Sequence, residues 1–238
     1  LTVPGEVIEF QVNTPLDEPT IRRHIEASRG RGYPEALGEP QALRIIAGGP
    51  SALQAPLDGP TLALNGALRR FTSQGLAPTY YACCDPQEMV ADFLKDAPES
   101  TIYFIASKCH PAVFDALKDR DVRLWHLDDY VPGGVSSAPS ITLVALNLFA
   151  QLGWRAYDIW GWDACYKDGK HHAFDQGHNA DDRTLEVGDR IFKTTTTWAL
   201  EAQTAGQILP ILQFVGVEVR IHGDSMIEAI RNLVAKAA

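Results

Sequence analysis

The sequence predicts an α/β fold: a Rossmann-like, mostly parallel sheet with helices on both faces. Three observations predict it. From about Arg44 onward, short apolar runs alternate with helical stretches, the rhythm of strand–helix–strand units. The runs are apolar at successive positions, not at every second one, so both of their faces are to be buried, as in parallel sheets. Many of them end in Gly, Asn or Asp, and open parallel sheets bind ligands at those carboxyl ends.

The predicted strands run over 43–47, 61–65, 79–84, 101–106, 122–127, 156–160 and 217–221. Helical stretches follow the second strand through Phe71 and the third through Leu94. A strongly apolar helix is expected over 140–152, and a last helix over 225–237, with Asp224 or Ser225 as its cap. Two stretches break the rhythm. Residues 1–40 carry Pro4, Pro15, Pro19, Pro34 and Pro40 with little periodicity, and read as an N-terminal extension packed on a single domain spanning 41–238. Residues 166–190 are polar, rich in Asp, His and Gly, and read as a lid-like loop.

Composition narrows the function classes. A length of 238 residues suits one domain with a large core. The net charge of -9 offers no basic surface for nucleic acid, whereas helix N-termini and backbone N–H groups hold phosphate without positive side chains. Cys83, Cys84, Cys109 and Cys165 show no paired metal spacing and lie in or beside apolar segments, so buried free thiols in a reducing, cytoplasmic setting are expected. No apolar run approaches the ~20 residues of a membrane span, and residues 1–9 lack the pattern of a secretory leader.

Five strand ends carry residues suited to a ligand. Gly48, Gly49, Pro50 and Ser51 close the first run; small residues let backbone approach a ligand, although a tight turn alone also explains them. The turn is neither a Walker loop nor a dinucleotide fingerprint. Asn65 closes the second run, where capping is the plainer explanation. Asp85 precedes Pro86, a good cap and a possible magnesium ligand beside a phosphate. Gly133, Gly134, Ser136 and Ser137 precede the apolar helix, in the style of an anion site. Gly161, Trp162 and Asp163 end the sixth run. Their convergence on one sheet edge is what points to a nucleotide site.

In the polar loop, His171 and His172 are the candidates for acid–base work, because imidazole titrates near neutral pH. Together with Asp175, His178, Asp181 and Asp182 they invite a metal reading, but the spacing matches no standard zinc pattern.

These motifs, in this order, resemble the MptE-like family, which includes archaeal 6-hydroxymethylpterin diphosphokinases and bacterial motility-associated glycosyltransferases. The carriers are the stretch from GGPSALQAPLDG to YYACCDPQE, then SKCHPAVF, GGVSSAPSITLVALNLFAQLG and above all YDIWGWDACYKDGKHHAF. More distantly the chain is similar to family-42 sialyltransferases, which use a CMP-sugar donor. That resemblance implies that Gly49, Pro50 and Ser51 form the nucleotide turn and that Asn65 contacts the nucleotide. It also sets Asp85 where those enzymes have a second Asn, and matches Ser136, Ser137, Gly161 and Asp163 to their motifs. One departure counts against sialyl transfer: residues 187–197 read VGDRIFKTTTT, without the His those enzymes place there.

Three functions follow as expectations. The favoured one is glycosyl transfer from a nucleotide-activated sugar to a small-molecule or glycan acceptor. Gly48–Ser51 and the Ser136-Ser137 helix start would hold phosphate, Asp85 and Asp163 would orient the sugar or a metal, and His171 or His172 would act as base. The alternative is diphosphoryl transfer from Mg-ATP to a pterin, with Asp85 and Asp163 on Mg²⁺, Lys170 and Lys193 neutralising charge, and Trp160 or Trp162 stacking on the ring, although core packing at a strand end explains the two tryptophans equally well. The third is a nucleotide-binding module without catalysis.

Overall fold

The computed structural model describes residues 16–29, 32, 34, 41–174 and 181–237. Its elements, in chain order, are α1 (Glu18–Ala27), β1 (Leu43–Ile46), β2 (Thr61–Leu64), α2 (Arg69–Thr72), β3 (Tyr80–Cys83), β4 (Ile102–Ala106), α3 (Pro111–Ala116) and β5 (Asp121–Trp125). They continue as α4 (Ile141–Gln151), β6 (Ala156–Trp160), β7 (Asp182–Val187), β8 (Arg190–Thr195), α5 (Thr196–Phe214), β9 (Glu218–Ile221) and α6 (Met226–Ala237). Short 3₁₀ turns at Pro50–Gln54, Asn65–Leu68 and Glu88–Leu94 follow β1, β2 and β3.

The main sheet has the order β5-β4-β3-β2-β1-β6-β9, and every pairing in it is parallel. The expected Rossmann-like α/β class is therefore the one found. Every residue of β2 and β3 is buried, which requires cover on both faces. β1 is the hinge of the topology: Ile46 registers with Ala63 on one side and Trp160 on the other. Successive strands step away from β1 in one direction as far as β5, and the chain then returns to lay β6 on its other side.

α4 is apolar nearly all round, and seven of its residues are buried: Thr142, Leu143, Val144, Ala145, Leu146, Leu148 and Phe149. Phe149 packs its ring 5.0 Å from Phe104 and 5.6 Å from Tyr80. Ser140 starts this helix by accepting the Leu143 N–H on its hydroxyl. At the last helix the cap is Ser225, whose hydroxyl accepts the N–H of Glu228.

Two regions differ from the sequence expectation. Within 1–40 the described part contains α1, capped by Asp17 and burying Ile21 and His24. Its short apolar stripe leaves most of the helix polar, so periodicity carries little signal. Within 166–190, residues 166–174 form a loop and Asp182–Val187 is β7, which pairs antiparallel with β8 as a two-stranded hairpin. Most β7 side chains face solvent and only Val187 is buried, so its composition reads as loop. Asp175 and His178 lie outside the described residues. Cys83, Cys109 and Cys165 are buried, Cys84 is half-buried, and all four are free thiols. Among the described residues no helix is long and apolar enough to cross a membrane.

Candidate functional site

A cleft opens at the carboxyl ends of β1, β2 and β6. Its place follows from the topology: strand order reverses about β1, and open parallel sheets bind ligands at the carboxyl ends of their strands at such a reversal. The turn after β1 brings Gly48 and Gly49, β2 brings Asn65, and β6 brings Gly161, Trp162 and Asp163. The following loop adds His171 and His172, while α4 contributes Ser140, Ile141 and Thr142 and α5 contributes Trp198 and Glu201.

The two Gly-containing turns are fitted to each other. The Gly49 N–H donates to the Gly161 carbonyl at 2.8 Å. A Cβ on Gly49 would lie 2.5 Å from Asp163 Oδ2, and one on Gly161, where φ is +75°, would lie 2.5 Å from the Ala47 carbonyl oxygen. Neither position accepts a side chain without displacing backbone. Pro50 begins the 3₁₀ turn, and Ser51 is buried behind the cleft rather than lining it. Its backbone N–H donates to Asp163 Oδ2 at 2.8 Å, and its hydroxyl accepts the Gly161 N–H at 2.8 Å.

Asp163 is 1% exposed, and Oδ1 has no hydrogen-bond partner among the described residues. Burial pushes its carboxyl above the usual range, and the hydrogen bonds from Ser51 oppose that rise. Asn65 has the left-handed φ of +47° and a buried Oδ1 that also lacks a partner among the described residues. A non-glycine residue held there costs energy, and such strain gathers at ligand sites.

His171 and His172 are half-buried at the rim, with their Nδ1 atoms hydrogen-bonded to each other. The N–H of Ala173 donates to the Gly48 carbonyl at 2.9 Å, which ties this loop to the first turn.

The other expected residues lie elsewhere. Asp85 accepts the Gln87 N–H and is not among the cleft residues. Gly134 sits in a turn closed by its N–H to the Val131 carbonyl, and Ser136 and Ser137 are exposed in the loop before α4, outside the cleft. Lys193 pairs with Asp182 at 2.6 Å, and Lys170 is an exposed loop residue. Trp160 stacks on His222 with ring centroids 4.5 Å apart, and Trp162 is buried, donating its indole N–H to Glu201 Oε1 at 2.5 Å. Among the described residues no group of three or more His, Cys, Asp and Glu side chains is arranged to hold a metal ion.

Sequence reasoning missed Ser140, Thr142, Trp198 and Glu201. Ser140 left a signal, since it directly precedes the first residue of the apolar helix. The cap of α4 therefore lies three residues beyond the Ser136-Ser137 pair. Glu201 left none, because a lone carboxylate in a helix reads as solvent-facing. It is 5% exposed, and burial pushes its carboxyl upward against hydrogen bonds from Ser140 and Trp162.

No family model matches the chain, and no curated protein matches it. Among solved structures it is similar to a MAf glycosyltransferase from Magnetospirillum magneticum AMB-1, with a TM-score of 0.57 and 15% identity over 92% of this chain. The chain spans 41% of that protein. The two share a fold.

Proposed function

We propose that the chain is a glycosyltransferase whose cleft binds a nucleoside-monophosphate sugar and passes the sugar to a hydroxyl acceptor. The observation that carries this reading is the convergence of Gly48, Gly49, Asn65 and the start of α4 with Asp163 Oδ1, which has no partner among the described residues, at the point where strand order reverses. The glycosyltransferase of similar fold supports it, as do the family motifs in the sequence.

The charge of the cleft favours this donor class over ATP. Among the described lining residues the acidic ones are Asp163 and Glu201, and none is Lys or Arg. The phosphodiester of a nucleoside-monophosphate sugar carries a single negative charge. First-turn N–H groups of α4 at Ile141 and Thr142, which have no intrahelical acceptor, can hold it. A triphosphate would bring several charges into a cleft with no Lys or Arg among its described lining residues to meet them. Asn65 contacts the base or ribose, Asp163 accepts a ligand hydroxyl, and His171 or His172 removes the acceptor proton. The acceptor oxygen then bonds to the anomeric carbon as the bond to phosphate breaks, and the phosphate leaves with the electron pair.

The test is a thermal-shift and calorimetric screen against CMP, UDP, GDP, CMP-sugars and Mg·ATP. Ligand bound only by the native state raises Tm by mass action. A shift with CMP or its sugar conjugates is the expected result. A shift confined to Mg·ATP would replace this reading with diphosphoryl transfer, and no shift at millimolar ligand would end the nucleotide reading.

A further inference from the structure

The cleft has two chemically different walls. One is the β1 turn, Asn65 and the start of α4, made of backbone and small polar groups. The other is the first two turns of α5, which present Trp198 and Glu201. Three positions apart on one helix, these side chains share a face. Thr195 fixes that face by accepting the Trp198 N–H on its hydroxyl at 3.2 Å. Trp198 is half-buried, with ring contacts to His172 at 5.5 Å and Tyr166 at 5.7 Å.

Glu201 has no ion-pair partner among the described residues. Its described hydrogen bond comes from a neutral donor, the Trp162 indole, and the Ser140 side chain, also neutral, favours the charged form of the carboxyl. A carboxylate oxygen accepts more than one hydrogen bond, so capacity remains on the cleft side. A buried carboxyl without a cation is costly for the fold, and packing alone would be met by an apolar residue of similar size.

An aromatic face beside a carboxylate is what a sugar ring calls for: its C–H face packs on the indole, and its hydroxyls donate to the carboxylate. We infer that Trp198 and Glu201 form the sugar subsite of this cleft, holding the ring of the donor while the opposite wall holds its nucleotide. The inference rests on the glycosyl-transfer reading and adds to it a division of labour between two walls.

Calorimetry with matched ligands tests it, using the nucleotide sugar that wild type binds best and the parent nucleoside monophosphate. Wild type is expected to bind the conjugate tighter than the parent. Trp198→Ala should weaken the conjugate about tenfold, the loss of one well-placed aromatic contact. Glu201→Gln retains an acceptor for Trp162 and should weaken it about fivefold, the difference between charged and neutral hydrogen bonds. In both variants the parent nucleotide should bind within twofold of wild type. A conjugate-to-parent ratio unchanged in both variants overturns the subsite, as does an equal loss for both ligands. Should Trp198→Ala fail to fold, Trp198→Phe and Glu201→Gln carry the same comparison. If wild type binds the parent but gains nothing from the sugar, the subsite fails while nucleotide binding stands; if it binds no nucleotide, both fall.

Discussion

Ser51 and Asp163 hold each other across the seam between β1 and β6: the Ser51 N–H donates to Asp163 Oδ2, and the Ser51 hydroxyl accepts the N–H of Gly161, two residues before that aspartate. Ser51→Ala keeps the first bond and orphans the second donor. A buried unsatisfied N–H costs about 1–3 kcal/mol. For a chain of this size that lowers Tm by about 2–4 °C per kcal/mol. An unchanged Tm would mean that another acceptor reaches the Gly161 N–H.

Gly49 is tested by a single methyl group. Gly49→Ala would force a Cβ to within 2.5 Å of Asp163 Oδ2 and 2.6 Å of the Gly161 carbonyl. Overpacking of this kind costs about 1–3 kcal/mol. Urea unfolding should show that loss, and ligand affinity should fall with it because both turns must move. A variant with native stability and native affinity would show that the two turns are not interlocked.

Asp163 separates function from stability when it is replaced by its neutral isostere. Its carboxyl is raised by burial, so the stability it contributes is fully present below the unfolded value near 3.8 and is lost as pH rises through the folded value. Asp163→Asn does not titrate. Relative to the variant, wild type should therefore lose Tm as pH climbs from about 4 toward neutrality. At pH 7 the variant should be folded and deficient in ligand binding. If wild type instead gains on the variant with rising pH, its carboxyl is depressed in the fold.

The thiols should be quiet in the native state. Burial pushes the Cys84 thiol up to about 12 and raises Cys109 and Cys165 as well. Cys83 and Cys109 are both inaccessible, with their sulfurs 3.8 Å apart. Ellman's reagent at pH 8 should titrate no thiol rapidly before denaturation and four per chain afterwards. A fast native thiol would place one of them at the surface.

The strands and most of the strand-end residues were legible in the sequence because parallel sheets write them plainly: continuous apolar runs punctuated by Gly, Asn or Asp. Gly48, Gly49, Asn65, Gly161 and Asp163 meet at the cleft for that reason. Asp85 was read from the same rule, yet β3 lies two strands from the reversal at β1, where the crevice opens. The hairpin of β7 and β8 was hidden by its solvent-facing side chains, and α1 by its narrow stripe. Trp162 read equally as a stacking residue or a core aromatic at a strand end, and it is the latter, its indole N–H drawn inward by Glu201. Nothing local announces a partner 39 residues away on α5.

The reversal at β1 also makes the cleft a joint between two halves of the chain. β1 to β5 come from residues before the loop that leads into α4, whereas β6, the histidine loop and α5 come after it. A chain opened in that loop, near Pro132 and Gly133, would leave the β1 turn and Asn65 on one fragment and the start of α4, the β6 turn and α5 on the other, with an unpaired edge on β1 or β6. A ligand spanning both sides would then act as a clasp, and reassembly of the fragments would report its occupancy.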